Sequence, residues 1–330
     1  MLISVERLYY TSESTGFRPE ILEKVIYLIH LLNRFAEDPF LKNKFVLKGG
    51  TALNLFCFDY PRLSVDIDIN YIGSSDRNVM LQEKSLVESA IENIVLDEKM
   101  IPKRKPSEHA GGKWLIRYPS ALQSQGNIEI DLNYLDRVPL WPKVIMNSFK
   151  LAEFQANNIP VQDFHELASG KLRALFSRHS SRDLFDVHQL MLHEHLDIEK
   201  LRLGFMIYGG ISRIDWRQIK PGNIHFDWQE FQNMLIPLLR KSYLAKRDHP
   251  KLWAEKILNE SKSALNKLFP LRENEAQFLD TLLEQGEINA ALLTSDRLLQ
   301  KRIQSNPALL WKAENVRSFK GKNNLVATKI

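Results

Sequence analysis

The sequence predicts an α+β fold: a mixed sheet with interspersed helices, then a mainly helical C-terminal domain. Three observations carry this expectation. Residues 65–71 and 128–134 alternate strictly between apolar and polar side chains, as half-exposed strands do. Helix-period stretches separate them. From about residue 161 the helical period takes over, and residues 197–330 are mostly helix-like. The expected division is 1–200 for the strand-rich domain and 201–330 for the helical one.

Residues 18–38 place Ile21, Val25, Ile26, Ile29 and Leu32 at helical spacing, and Pro39 ends the pattern. Phe45 to Leu47 form a short apolar strand that runs into Lys48 and two glycines. TALNLFCF (51–58) reads as a short helix whose start abuts those glycines. Arg62 to Ser64 are loop. In 65–71, Val65, Ile67, Ile69 and Tyr71 share one face; Asp66, Asp68 and Asn70 share the other. Residues 77–100 are helical up to Pro102, and 103–113 form a charged turn before a strand at 114–118. In 128–134, Ile128, Ile130 and Leu132 point one way, and Glu129, Asp131 and Asn133 the other. Two helices follow, separated near His179 to Ser181, with later breaks near Gly209–Gly210, Pro221–Gly222 and Pro270.

Composition narrows the function classes. The chain has 330 residues, 44% of them hydrophobic and 26% charged, the balance of a folded globular protein. A single cysteine, Cys57, excludes an intrachain disulfide and a cysteine-rich zinc site. No apolar run reaches the roughly 20 residues that span a bilayer, and the N-terminus lacks a signal-peptide pattern. A soluble, cytoplasmic protein with no membrane partner is expected. The net charge of +5 suits either ordinary solubility or a nucleic-acid partner.

The sharpest local feature is GGTALNLFCFDYPRLSVDIDIN, residues 49–70. Asp66 and Asp68 are two apart on a strand, so both carboxylates leave one face. Such oxygens suit Mg²⁺, or Mn²⁺, better than zinc; a solvent-facing aspartate pair is the plainer alternative. Gly49 and Gly50 let backbone amides approach a phosphate, and the helix that follows adds favourable partial charge. The Thr51 hydroxyl can cap that helix or contact phosphate. Asp131 offers a third carboxylate, with Glu129 in reserve, if the two strands are neighbours.

A second constellation lies in residues 170–190. Lys171 and Arg178 share a helix side, and Arg182, Asp183 and Asp186 follow the break. A lysine here can neutralise a triphosphate, and an arginine can hold its outer phosphates. The alternative is a network of ion pairs tying the two helices together, with Lys171 bridged to Asp183 or Asp186. His165, His179 and His188 lack metal-ligand spacing, and the glycines do not form a P-loop.

FVLKGGTAL followed by RLSVDIDIN, and later FHELASGKLRALFSRHSSRDLFDVHQL, resemble the AbiEii/AbiGii-type nucleotidyltransferase toxins of the DNA polymerase β-like superfamily. The resemblance covers about residues 45–190 and is only general beyond them. It implies a nucleotidyltransferase core and metal-dependent transfer of an NMP from an NTP to an acceptor, RNA such as a tRNA end, with pyrophosphate release. It also implies a toxin or abortive-infection effector active in phage defence, with a possible cognate antitoxin. By position, Gly49, Gly50 and Thr51 match the glycine–hydroxyl motif, and Asp66 and Asp68 the metal pair. Asp131 fits the third carboxylate, Lys171 the lysine at the nucleotide phosphates, and Asp183 and Asp186 the RDxxD element. Arg178 and Arg182 join the nucleotide-binding set. Val65 stands where the family often has an acidic or aromatic residue. The other reading is a nucleotide-, RNA- or antitoxin-binding protein that keeps the fold without catalysis. Segments 99–117, 240–256 and 298–317 mix Lys and Arg with Trp or Tyr and are candidates for RNA contact, although Trp114, Trp253 and Trp311 can equally be core anchors.

Overall fold

In a computed structural model, residues 3–106, 110–245 and 249–327 are described, with backbone alone for 320–327. The chain divides into two units that are discontinuous in sequence. One comprises Met1–Arg137, Pro142–Leu167 and Trp228–Ala254; the other comprises Val138–Trp141, Ala168–Asp227 and Glu255–Ile330.

The first unit is built on a seven-stranded mixed sheet. Its strands are β1 (Phe45–Lys48), β2 (Asp66–Tyr71), β3 (Ile101–Arg104), β4 (Gly111–Tyr118), β5 (Gly126–Asn133), β6 (Val144–Met146) and β7 (Ile159–Val161). Their order is β3-β4-β5-β2-β1-β7-β6. β2 runs parallel to β5 and β1 parallel to β7; the other pairs are antiparallel. Helices α1 (Val5–Thr15), α2 (Pro19–Glu37), the short α3 (Gly49–Ala52) and α4 (Arg77–Asp97) complete the unit's first half. Strand alternation decides the layering. Ile67, Ile69, Trp114, Ile116, Ile128, Ile130 and Leu132 are all buried on one face. Both α2 and α4 contact the sheet, and α2 contributes buried Val25, Ile26, Ile29 and Leu32. Each such side chain contributes roughly 1.5–3 kcal/mol of burial.

The strands at 65–71, 114–118 and 128–134 stand within a few residues of expectation. The stretch 103–113 differs. Lys103 and Arg104 belong to β3, and β4 begins at Gly111; residues 107–109 of the expected turn lie outside the described residues. Asn70, expected on the polar face, is buried at 1% exposure.

The second unit is helical. It takes α5 (Phe164–Arg178) from Ala168 onward, then α6 (Ser181–Met191) and α7 (Ile198–Ile211), the helix Pro250–Leu265 from Glu255 onward, and helices at Glu273–Asp280, Arg297–Gln304 and Pro307–Ala327. Phe176, Phe205, Trp216 and Phe269 form an aromatic core with ring centroids 4.9–6.4 Å apart. α7 runs through Gly209 and Gly210, where a break was expected. Gly209 is there for packing: a Cβ would lie 2.2 Å from the Trp216 indole. Among the described residues, no helix is long and apolar enough to cross a membrane.

Candidate active site

The parallel pairing of β2 with β5 sets Asp68 directly opposite Asp131 and Asp66 opposite Glu129. Paired residues on neighbouring strands share a face, the strands lying about 4.8 Å apart. The three carboxylates named from the sequence are therefore neighbours. The row continues outward on both sides. Lys48 of β1 pairs with Asp68, and Lys113 of β4 pairs with Asp131. Lys48–Asp68–Asp131–Lys113 is thus one line across four strands, with two aspartates between two lysines.

The lysines balance the like charge that would otherwise disfavour the cluster. Lys113 Nζ donates to Glu129 Oε2 at 2.8 Å. That bond raises the Lys113 pKa; partial burial opposes it, and the charges of Glu129, Asp66 and Asp131 add to the rise. Lys48 Nζ lies 3.9 Å from Asp136 Oδ2. Neither lysine was singled out from the sequence. Lys48 had a signal, its place immediately before the glycines. Lys113 had none, because it sits in a basic stretch that reads as a solvated turn.

The glycine turn is fitted to Asp68. Gly49 has φ +74°, and a Cβ on it would lie 2.1 Å from Asp68 Oδ2. Only glycine combines that backbone with so close an approach. Thr51 is fully buried, and its hydroxyl donates to the Asp66 carbonyl at 2.5 Å. Lys48, not Thr51, is the N-cap of α3. The expected capping role is thus replaced by a clamp joining the glycine turn to the DxD strand. Gly50, also buried, accepts at its carbonyl from Asn54 Nδ2 at 2.9 Å. The loop residue Arg62 is buried and donates to the Leu63 carbonyl.

Fit to a metal depends on the donor set. Among the described residues no group of three or more His, Cys, Asp or Glu side chains is gathered so as to hold an ion alone. Mg²⁺ needs fewer: it commonly takes one or two carboxylates, with waters and substrate phosphates completing its octahedron. Adjacent Asp68 and Asp131, with Asp66 one pleat away, suit that mode.

The second constellation assembles in the helical unit. Lys171 Nζ lies 3.0 Å from Asp183 Oδ1 and 2.8 Å from Asp186 Oδ2. Arg178 grips Asp183 with Nε at 2.6 Å and a second guanidinium nitrogen at 3.1 Å. Asp183 and Asp186 are fully buried and Lys171 is 8% exposed. Burial disfavours the Asp183 charge, but the Lys171 ammonium and Arg178 guanidinium outweigh it and hold the carboxyl well below the usual range. Arg182 is half-buried on the first turn of α6. Of the two readings open from the sequence, this geometry favours the ion-pair bridge. Asp183 and Asp186 are too buried to meet a nucleotide directly, so any part they play in binding runs through Lys171 and Arg178. Nearby, the His179 ring stacks on His225 at 4.0 Å, and His188 pairs with Glu260 at 2.8 Å.

A mixed sheet that sets a glycine turn against paired strand aspartates suits metal-assisted phosphoryl transfer. The family model described as nucleotidyl transferase AbiEii toxin, type IV toxin–antitoxin system, matches residues 30–256, and the chain belongs to that family. Membership makes it a nucleotidyltransferase of a toxin family. MenT4, a nucleotidyltransferase toxin from Mycobacterium tuberculosis H37Rv, has a similar structure. The match has a TM-score of 0.60 and covers 94% of this chain and 99% of that one, at 14% identity, a likeness of fold. Curated proteins give no sequence match.

Proposed function

We propose that this protein moves a nucleoside monophosphate from an NTP to a hydroxyl of an RNA acceptor, such as a tRNA end, releasing pyrophosphate. The observation that carries the reading is the register of β2 on β5, which places Asp68 beside Asp131 with Asp66 on the same face. Asp66, Asp68 and Asp131 would hold Mg²⁺ or Mn²⁺, which supplies positive charge to the phosphates and makes a bound hydroxyl more acidic. Asp131 orients the acceptor hydroxyl and takes its proton as the oxygen attacks the α-phosphorus. Gly49 and Gly50 let the donor phosphates come close to backbone. Lys48 and Lys113 offset charge at the two ends of the row. For the helical unit we assign Lys171 to holding Asp183 and Asp186, with Arg178 as the second cation on Asp183.

The test is incorporation of labelled nucleotide into a total RNA pool by wild type and by D66A/D68A, with Mg²⁺ or Mn²⁺. Transfer by wild type alone is expected; equal transfer by both sinks the assignment. Nucleotide or RNA binding without product, for every NTP, would instead favour the non-catalytic reading. As a cytoplasmic toxin restrained by a cognate antitoxin, the wild type should arrest growth on induction and D66A/D68A should not. Arrest by the double variant would show that toxicity comes from binding.

A further inference from the structure

Resting on the reading of the carboxylate row as a transfer site, we infer that the open face of β3 and β4 is where a single-stranded nucleic-acid acceptor lies, its phosphates held by Arg117 and Arg104. The strand register carries the argument. On β4 the buried side chains are Trp114, Ile116 and Tyr118, so Lys113, Leu115 and Arg117 point to the opposite, open face. That is the face of Asp131 and Glu129, because Lys113 pairs with Asp131 and Leu115 with Glu129. β3 extends it: Ile101 pairs with Arg117, and Arg104 with Leu115 across a bulge that takes up Lys103. One open surface therefore runs from the aspartates to a basic edge.

Its charges are unequally committed. Lys113 is bonded to Glu129, and Lys105 is paired with Glu92. Arg104 and Arg117 have no ion-pair partner among the described residues, so both guanidinium groups can take up phosphate. Leu115 is half-buried, and Ile101 is 48% exposed, so apolar surface lies among the cations. The spacing also fits. Arg117 pairs with Asn127, four residues from Asp131, which is about 13 Å along a strand. That distance is a few nucleotides of a single strand, so Arg117 would meet a phosphate upstream of a terminal hydroxyl at the aspartates.

The experiment measures binding of a labelled eight-nucleotide RNA, and of the same sequence as DNA, to the full chain across a salt series, without NTP or metal. Removing two phosphate contacts should cut the slope of log K against log salt by about 1.4. R104A/R117A should show that loss and bind about tenfold more weakly in 0.1 M salt. R104K/R117K should keep the slope, and K220A/R297A, exposed cations of the helical unit, should match wild type. A loss with RNA alone assigns the acceptor to RNA, and a loss with both assigns recognition to the shared backbone. An unchanged slope in R104A/R117A, with its melting temperature intact, overturns the inference. Because no transfer is measured, this outcome is independent of the D66A/D68A result. Transfer with an unchanged slope removes only the acceptor surface, and a lowered slope without transfer removes only the chemistry.

Discussion

At the scale of single residues, Gly49 ties conformation most directly to chemistry. Its φ of +74° is left-handed, and the space a Cβ would need is held by the Asp68 carboxylate. In Gly49→Ala the backbone strain costs about 1–2 kcal/mol. The clash is relieved by turning Asp68 away, so folding survives better than function. Transfer should fall by tenfold or more, with a melting temperature lowered by only a few degrees. Assaying both in one preparation checks this. A G49A protein with full transfer would show that Asp68 need not stand where it does. The sequence displayed the glycine, the threonine and the aspartates, yet it hid the Thr51 clamp on the Asp66 carbonyl. A hydroxyl leaves no mark in the sequence of which carbonyl it will meet.

At the scale of elements, α5 and α6 are tied by buried ion pairs as well as by apolar side chains. Lys171→Ala would take a buried cation from both Asp183 and Asp186 and leave Arg178 on Asp183, at a cost of about 3 kcal/mol. Nucleotide affinity measured on the protein that remains folded should change little. A large loss of affinity with normal stability would return Lys171 to the phosphates. The same junction sets an acid limit. The Asp183 pKa is lowered on folding, so its stabilisation is complete above the ordinary aspartate value of about 3.9 and fades as pH falls below it. Asp183→Asn should therefore be less stable than wild type at neutral pH, and the gap should narrow in urea melts below pH 4.

What could be read in advance followed the range of the forces involved. The alternation in VDIDINY and IEIDLNY is local, so β2 and β5 were legible, as were the helices on either side of His179. The contact between Asp68 and Asp131 is not local. β3 and β4 intervene in the chain before β5 returns beside β2, and no pattern in either strand specifies that partner. β6 and β7 escaped because each has three residues, one of them Pro160. Trp114 is a core anchor with no exposure, whereas Trp311 is 57% exposed; composition alone treats them alike. Residues 246–248 of the second basic segment lie outside the described residues.

For the whole molecule, the decisive question is whether donor binding uses the strand carboxylates. Each unit has its own core, and the strand aspartates Asp66, Asp68 and Asp131 stand in the sheet unit. Any ligand that binds only the folded protein raises its stability by linkage, about 2.7 kcal/mol at one hundred times Kd. A non-hydrolysable NTP analogue with Mg²⁺ should therefore raise the melting temperature of wild type by several degrees. Either component alone should do less, because Mg²⁺ draws ligands from both the carboxylates and the phosphates. Asp68→Asn keeps the shape of the side chain but removes the charge that would hold the ion. Its own melting temperature should stay within a few degrees of wild type, since the side chain keeps its shape and its neighbours. The increment from Mg²⁺ and the analogue should then vanish. Lys171→Ala, by contrast, should start from a lower melting temperature and still gain the full increment. An undiminished increment in Asp68→Asn would mean that the triphosphate binds away from the β2–β5 row, and the proposed chemistry would have to move with it.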